Sequence, residues 1–176
     1  GNRVGLMTNA GFESVIMADN LRGENGGLVL PEFCDQTVRK INQALSPAGI
    51  DRLLDIHNPL DVTPMADDAT FGACLEALVE DKNVDCAVIS IVPVTAVLQT
   101  LPPGEAHHEN IYDENSLAGY LIRAFKKTDK PMVVNIDAGQ LYDPLAEYLE
   151  DNGLPVFRRC DRALAFLKRF VAIHKA

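Results

Sequence analysis

The seven residues from Cys86 to Val92 constrain the fold of this chain more than any other stretch. They read Cys-Ala-Val-Ile-Ser-Ile-Val and are apolar at almost every position. An apolar run of this length is typical of a central strand in a parallel sheet, because helices cover both faces of such a sheet. The stretch therefore predicts an α/β domain with this strand near its centre.

The rest of the chain alternates between short apolar runs and stretches with helical spacing. The runs predict four more strands, at Val4 to Met7, Leu28 to Leu30, Met132 to Ile136 and Leu154 to Phe157. Asp67 and Asp68 are expected to cap one of the intervening helices, and Asp113 is expected to cap another. This alternation predicts a flavodoxin-like, three-layer α/β/α fold around a five-stranded parallel sheet, with the strand order 2-1-3-4-5.

Composition narrows the classes of protein that fit this pattern. With 176 residues the chain is about one domain, and its formal net charge of −9 argues against nucleic acid as the main partner. No apolar run approaches the roughly 20 residues that cross a bilayer, and no signal-peptide pattern opens the chain. Four widely spaced cysteines without a C-x-x-C pair fit a reducing compartment. We therefore expect a cytoplasmic domain with no membrane partner.

A turn at residues 8–11, Thr-Asn-Ala-Gly, joins the first predicted strand to the first predicted helix. The first turn of a helix has unpaired N–H groups and a positive dipole end, and Gly11 allows a close approach to the backbone. The turn is therefore a candidate anion site, although many such turns only cap a helix. It contains neither a Walker loop nor a dinucleotide fingerprint.

A second candidate segment, Asn58-Pro-Leu-Asp61, follows His57. Pro59 and Pro64 exclude a helix and a central strand, so the segment is expected to be a shaped loop. Asn58 and Asp61 would hold the loop through bonds to the backbone, or orient a partner group. His57 could act as a nucleophile or a base, but a histidine beside a turn is more often a hydrogen-bonded loop residue.

The polar loop after Pro102-Pro103-Gly104 carries side chains of the types that bind metals: Glu105, His107, His108 and Glu109. Adjacent histidines do not easily bind one ion together, so no metal site is expected there. No Ser-His-Asp arrangement can be assembled either, because nothing in the sequence selects the serine that would be activated.

The opening residues 1–11, Gly-Asn-Arg-Val-Gly-Leu-Met-Thr-Asn-Ala-Gly, together with Asn58-Pro-Leu-Asp61, resemble a known family. They are similar to the C-terminal succinyl-CoA-synthetase-like, flavodoxin-fold (CoA ligase) domain of the NDP-forming acyl-CoA synthetases. This group contains ADP-forming acetyl-CoA synthetase. Three later segments agree with that resemblance: Val84 to Ile89, Lys130 to Val134 and Asn152 to Phe157. The resemblance covers nearly the whole chain, so residues 1–176 are expected to form one ligase domain of a larger polypeptide or complex.

The resemblance implies a reaction and a set of partners. The family converts an acid, CoA and a nucleoside triphosphate into acyl-CoA, nucleoside diphosphate and phosphate, reversibly, through a phosphohistidine. The histidine would lie in a neighbouring ligase domain, CoA in a Rossmann-like domain, and ADP or ATP with Mg²⁺ in an ATP-grasp domain. This chain is then expected to bind no cofactor tightly, to form part of an oligomer, and to be inactive as an isolated domain.

The resemblance also assigns residues. Asn9, Ala10 and Gly11 would contact the phosphate of the phosphohistidine, with the Asn58 and Asp61 loop beside them. Phe12 and Glu13 follow where family members commonly have small residues, and they add bulk and negative charge. An alternative is therefore a non-catalytic interaction or regulatory module with the same fold. A flavin-binding flavodoxin is a third alternative, but the first turn lacks the Thr- and Ser-rich phosphate loop of that class.

Overall fold

A computed structural model describes residues 1–21 and 27–174 of the chain. Its strands are β1 (Val4–Thr8), β2 (Leu60–Asp61), β3 (Cys86–Ile91), β4 (Met132–Ile136) and β5 (Val156–Phe157). Its helices are α1 (Gly11–Leu21), α2 (Asp35–Leu45), α3 (Asp68–Glu80), α4 (Leu117–Lys127), α5 (Asp143–Asp151) and α6 (Cys160–Ile173). Short 3₁₀ turns lie at Ser46–Ala48, Ile50–Arg52 and Gln140–Tyr142. Among the residues described, no helix is long and apolar enough to span a membrane.

The five strands form one parallel sheet with the order β2-β1-β3-β4-β5. Helices α1 and α6 cover one face, and α2, α3, α4 and α5 cover the other. Side chains alternate between the two layers along each strand: in β3, Val88 faces α1 and α6, whereas Ile89 faces the larger layer. The predicted fold class and strand order are confirmed.

The position of the second strand differs from the prediction. The predicted strand at Leu28 to Leu30 is reduced to a single bridge, in which Val29 accepts from Val4 N–H (2.8 Å) and donates to Asn2 (2.9 Å). The strand itself, β2, lies in the proline-containing loop and pairs with the other end of β1. Both segments occupy the same edge of the sheet, where missing ladder bonds are tolerated and proline is allowed.

The predicted cap of α3 is confirmed, whereas the predicted cap of α4 is not. Asp67 caps α3 by accepting from the Thr70 N–H at 2.9 Å, as predicted. The predicted cap at Asp113 is wrong, because α4 begins at Leu117 and its cap is Ser116, three residues after Asp113. Ser116 is buried and both accepts from Gly119 N–H (3.2 Å) and donates to the Ile111 carbonyl (2.9 Å), so its hydroxyl satisfies two groups at once.

Candidate functional site

The turn between β1 and α1 presents two backbone donors. The Ala10 carbonyl accepts from the N–H groups of Glu13 (3.0 Å) and Ser14 (3.4 Å), and the Ala10 N–H donates to Thr8 Oγ1 (3.2 Å). The N–H groups of Gly11 and Phe12 have no hydrogen-bond partner within the described part of the chain, and both residues are exposed. An anion at this helix end would meet both donors and the positive end of the helix dipole.

Asn9, which the sequence assigns to phosphate, has its side chain committed to the sheet. It is 1% exposed, its Nδ2 donates to the Val92 carbonyl at 2.9 Å, and its Oδ1 accepts from the Val92 N–H at 2.9 Å. The amide thus extends the pairing of β1 with β3 beyond the ends of the strands. A contact from Asn9 to an anion would therefore fall to its main chain.

The expected meeting of the two candidate segments is present in the structure. Asp61 pairs with Thr8 in the sheet, and the Val62 N–H donates to the Thr8 carbonyl at 2.9 Å. A Cβ placed on Gly11 would lie only 3.2 Å from Asp61 Oδ2. The other carboxylate oxygen of Asp61 accepts from the Thr63 N–H at 2.8 Å, a local bond of the kind predicted for this loop. The loop therefore places a carboxylate beside the first residue of α1.

Asn58 holds that loop to the sheet. Its Oδ1 accepts from the Leu6 N–H at 3.0 Å, and its Nδ2 donates to the carbonyls of Val4 (2.8 Å) and Pro31 (3.1 Å). The side-chain amide fills the stretch of β1 edge between the Val29 bridge and β2. Asn58 is therefore a structural residue of the sheet edge, and its partners are distant along the chain rather than local.

Glu13 points into the molecule rather than toward an anion. It is 1% exposed, and its Oε2 accepts from Ser90 Oγ at 2.8 Å. Ser90 in turn accepts from Asn135 Nδ2 at 2.9 Å. Burial, and then hydrogen bonding to Asp137, raise the pKa of Glu13 above its ordinary value. Ser90, Asn135 and Asp137 are not among the predicted site residues, although polar residues near the ends of two apolar strands were a usable signal.

Two of the other chemical candidates, His57 and Glu109, are occupied within their own loops. His57 is exposed, and its Nδ1 lies 2.7 Å from the Asp55 carbonyl, which fits the loop role. Glu109 Oε2 accepts from Thr100 N–H (2.6 Å), Thr100 Oγ1 (3.0 Å) and Leu101 N–H (3.1 Å), so its carboxylate organises the loop after β3.

Among the described residues, cations at the carboxyl edge of the sheet are confined to the loop after β5, where Arg158 pairs with Asp143 and Arg159 with Asp161. Neither Lys nor Arg occurs at residues 4–21, 53–81, 83–122 or 131–157, which include the loops that leave β1, β2, β3 and β4. Each of these loops or the helix start that follows also exposes a large apolar side chain: Phe12 (54% exposed), Met65 (51%), Val94 (70%) and Leu141 (64%). The site thus offers backbone donors and apolar surface, and a ligand's negative charge would need cations from elsewhere.

Comparison with curated proteins gives two related sequences, while no protein-family model matches the chain. The alpha subunit of ADP-forming acetate–CoA ligase II from Pyrococcus furiosus is 32% identical over 162 residues, which are 90% of this chain and 31% of that subunit. The alpha subunit of ADP-forming acetate–CoA ligase I from the same organism is 29% identical over 170 residues, 95% of this chain and 32% of that subunit.

Solved structures agree with the fold. PH0766 from Pyrococcus horikoshii OT3 superposes with a TM-score of 0.72 and 27% identity, over 92% of this chain and 33% of that chain. The apo form of dinucleotide forming Acetyl-coenzyme A synthetase 1 from Ca. Korarchaeum cryptofilum superposes with a TM-score of 0.77 and 18% identity, over 99% and 34%. This chain therefore spans about a third of the relatives it matches. Over 90% of its length the chain is homologous to the alpha subunits of ADP-forming acetate–CoA ligases, which confirms the resemblance drawn from its motifs.

Proposed function

We propose that this chain is the CoA-ligase domain of an NDP-forming acyl-CoA synthetase. The complete enzyme would convert an acid, CoA and a nucleoside triphosphate into acyl-CoA, nucleoside diphosphate and phosphate, and would also run in reverse. The observation that carries the proposal is the pair of N–H groups at Gly11 and Phe12, which have no partner among residues 1–21 and 27–174, in a chain homologous to synthetase alpha subunits.

The domain's part in the reaction would be to stabilise a phosphohistidine presented by a partner domain. The turn at Asn9, Ala10 and Gly11 would face the phosphoryl group, with the donors at the start of α1 directed at its oxygens. Donors held in place by a folded helix need no reorganisation when charge moves onto those oxygens. The apolar core contacts of α1 through Met17, which is fully buried, support a rigid helix end.

The lack of Lys and Arg in the loops after β1 to β4 supports a shared site. Two backbone donors do not neutralise a phosphoryl group, and no Lys or Arg follows β1, β2, β3 or β4 in the loops there. Cations, CoA and ADP or ATP with Mg²⁺ would come with the histidine-bearing, CoA-binding and ATP-grasp domains. The exposed apolar side chains of that edge, Phe12 and Val94 among them, would be covered in the assembly. The isolated chain would then be inactive.

A non-catalytic interaction module remains the second candidate, and one observation favours it. Asp61 lies beside Gly11, so the start of α1 already has a carboxylate next to its positive end. In that case the apolar carboxyl edge would serve assembly alone, and the donors of α1 would contact water.

The deciding experiment measures nucleoside triphosphate formation from acyl-CoA, nucleoside diphosphate and phosphate by the complete enzyme that contains this chain. Gly11→Pro removes one donor at the first position of α1, where proline suits a helix. Gly11→Ala adds the same Cβ beside Asp61 but keeps the N–H, and it is the matched control. We expect Gly11→Pro to lose about a hundredfold in turnover, about 2.7 kcal/mol, and Gly11→Ala to stay within about threefold of wild type.

Equal turnover in correctly folded Gly11→Pro and wild-type enzymes would contradict the donor role and favour the interaction module. Equal losses in Gly11→Pro and Gly11→Ala would assign the effect to the Cβ against Asp61, and would also contradict it.

A further inference from the structure

A chain of buried polar groups connects the first turn of α1 to the centre of the sheet. Glu13 of α1, Ser90 of β3 and Asn135 of β4 are each at most 1% exposed. Ser90 Oγ donates to Glu13 Oε2 at 2.8 Å, and Asn135 Nδ2 donates to Ser90 Oγ at 2.9 Å. Ser90 and Asn135 are paired in the sheet register, so the two strands hold the acceptor of α1 in one place.

In the described part of the protein, no cation forms an ion pair with the carboxyl group of Glu13, which ends this series of hydrogen bonds. The arginines at the start of α6 are engaged elsewhere: Arg159 and Arg162 lie 2.9 and 4.0 Å from the Asp161 carboxylate. A buried carboxylate without a cation is costly, and the usual response is to take up a proton.

The titratable groups that face Glu13 further favour its protonated form. At the end of β4, the carboxyl group of Asp137, an exposed residue, lies near enough to Glu13 to raise its pKa further, after burial. From α6, the Cys160 thiol faces Glu13, and burial raises the pKa of that thiol to about 12. From β2, Asp61 adds a further carboxylate on the far side of Gly11. Two carboxyl groups in contact favour one shared proton over two charges.

We propose that Glu13 keeps its proton in the folded protein at pH values at which the unfolded chain has lost it, and that, as a neutral acid, it is the positioning residue that holds the first turn of α1 against the ends of β3 and β4. The protonated carboxyl donates to Asp137 while it accepts from Ser90, which joins α1 to both strands. Loss of the proton places two like charges in contact and loosens the turn that carries the Gly11 and Phe12 N–H groups. The consequence of this protonation for phosphate binding rests on the proposed function, whereas the protonation of Glu13 itself does not.

The direction of the linked stability change follows from the raised pKa of Glu13, which burial and then Asp137 produce. The folded protein binds this proton more tightly than the unfolded chain does. The free energy of unfolding therefore falls as the pH rises from the unfolded glutamate value through the folded one. Below the unfolded value both states are protonated, and Glu13 contributes no pH dependence.

The first test is a ¹³C NMR titration of the Glu13 side-chain carboxyl in this chain, with the resonance assigned by its loss in Glu13→Gln. We expect a midpoint above the ordinary glutamate value of 4.5. Asp137→Asn should move the midpoint downward, because it removes the second carboxyl group. A midpoint at or below 4.5 in the wild-type chain would overturn the proposal, and this measurement does not require that Glu13→Gln folds.

The second test compares the free energy of unfolding of wild type, Glu13→Gln and Glu147→Gln between about pH 5 and pH 8. Glu147 is an exposed residue of α5 and is the matched control. Glu13→Gln should remove the part of the downward slope that Glu13 causes, whereas Glu147→Gln should keep the wild-type slope. Equal slopes in wild type and Glu13→Gln would contradict the proposal. Neither readout involves phosphate, so the outcome is separable from that of Gly11→Pro.

Discussion

At the scale of single residues, Asn58 takes the place of a strand residue. Its amide satisfies the Leu6 N–H and the Val4 carbonyl of β1 on the side away from β3, where β2 does not reach these residues. Asn58→Ala should therefore lower the free energy of unfolding by about 3 kcal/mol, because two backbone groups in a largely buried strand lose their partners. Urea denaturation of the purified chain measures this directly.

Asn42 provides the matched control for Asn58. It lies on the exposed side of α2, and its Nδ2 donates one bond, to the Val38 carbonyl at 3.1 Å. Asn42→Ala should change the free energy of unfolding by no more than about 0.5 kcal/mol. If the two variants were equally stable, the amide of Asn58 would not be needed at the sheet edge.

Asn9 and Asn58 also show the limit of local inference. The sequence places both as polar residues in turns, and both lie in the candidate region. Their partners are Val92, 83 residues after Asn9, and Val4, 54 residues before Asn58. Because such bonds depend on how distant segments come together, spacing within a motif does not reveal them.

At the scale of elements, two variants at the start of α4 distinguish Ser116 from Asp113 as the cap of that helix. Ser116→Ala should cost about 1.5 kcal/mol of unfolding free energy, because the buried hydroxyl caps the Gly119 N–H and also donates to the Ile111 carbonyl. Asp113→Ala should cost less than about 0.5 kcal/mol, because Asp113 is exposed and its side chain accepts from the Asn115 N–H in the turn before α4. Chemical denaturation of the two variants ranks them; the reverse order would restore Asp113 as the cap.

Helix α1 is the element whose sequence was least informative about its orientation. Phe12, Val15 and Ile16 are apolar yet 54%, 60% and 40% exposed, whereas Glu13 and Met17 are buried. Helical spacing identifies an apolar stripe, but α1 has apolar residues on more than one side, so the spacing alone does not select the inward face. Packing against α6 and the polar ends of β3 and β4 selects it.

At the scale of the whole molecule, ionisable groups at the two ends of the strands change the free energy of unfolding in opposite directions as the pH rises. At the amino edge, hydrogen bonds from Arg3 lower the pKa of Asp85. A lowered carboxyl pKa stabilises the fold above the unfolded value of 3.8, and that contribution is lost as the pH falls through the folded value. On the proposal made above, Glu13 at the carboxyl edge lowers the free energy of unfolding as the pH rises, so these two groups together favour weakly acidic conditions.

The Asp85 contribution can be measured with Asp85→Asn. Solvent screens part of the pair, since the Arg3 side chain is 43% exposed, and the expected loss at pH 7 is at most about 1 kcal/mol of unfolding free energy. The difference from wild type should shrink as the pH falls below about 4. Asp151→Asn, at an exposed position that ends α5, should show no such difference. A gap between Asp85→Asn and wild type that stayed constant down to the lowest pH would contradict the linkage.

The sequence by itself determined the α/β class, the order of the parallel sheet, and the resemblance that homology to synthetase alpha subunits confirms. These features depend on apolar periodicity, strand–helix alternation and short motifs, each of which is written within a few neighbouring residues. Only the tertiary structure decided where β2 forms, which way α1 faces, and that Asn9, Glu13 and Asn58 serve the sheet. Each of those outcomes depends on a hydrogen bond or a packing contact between segments distant in the chain, and local patterns carry no information on such partners.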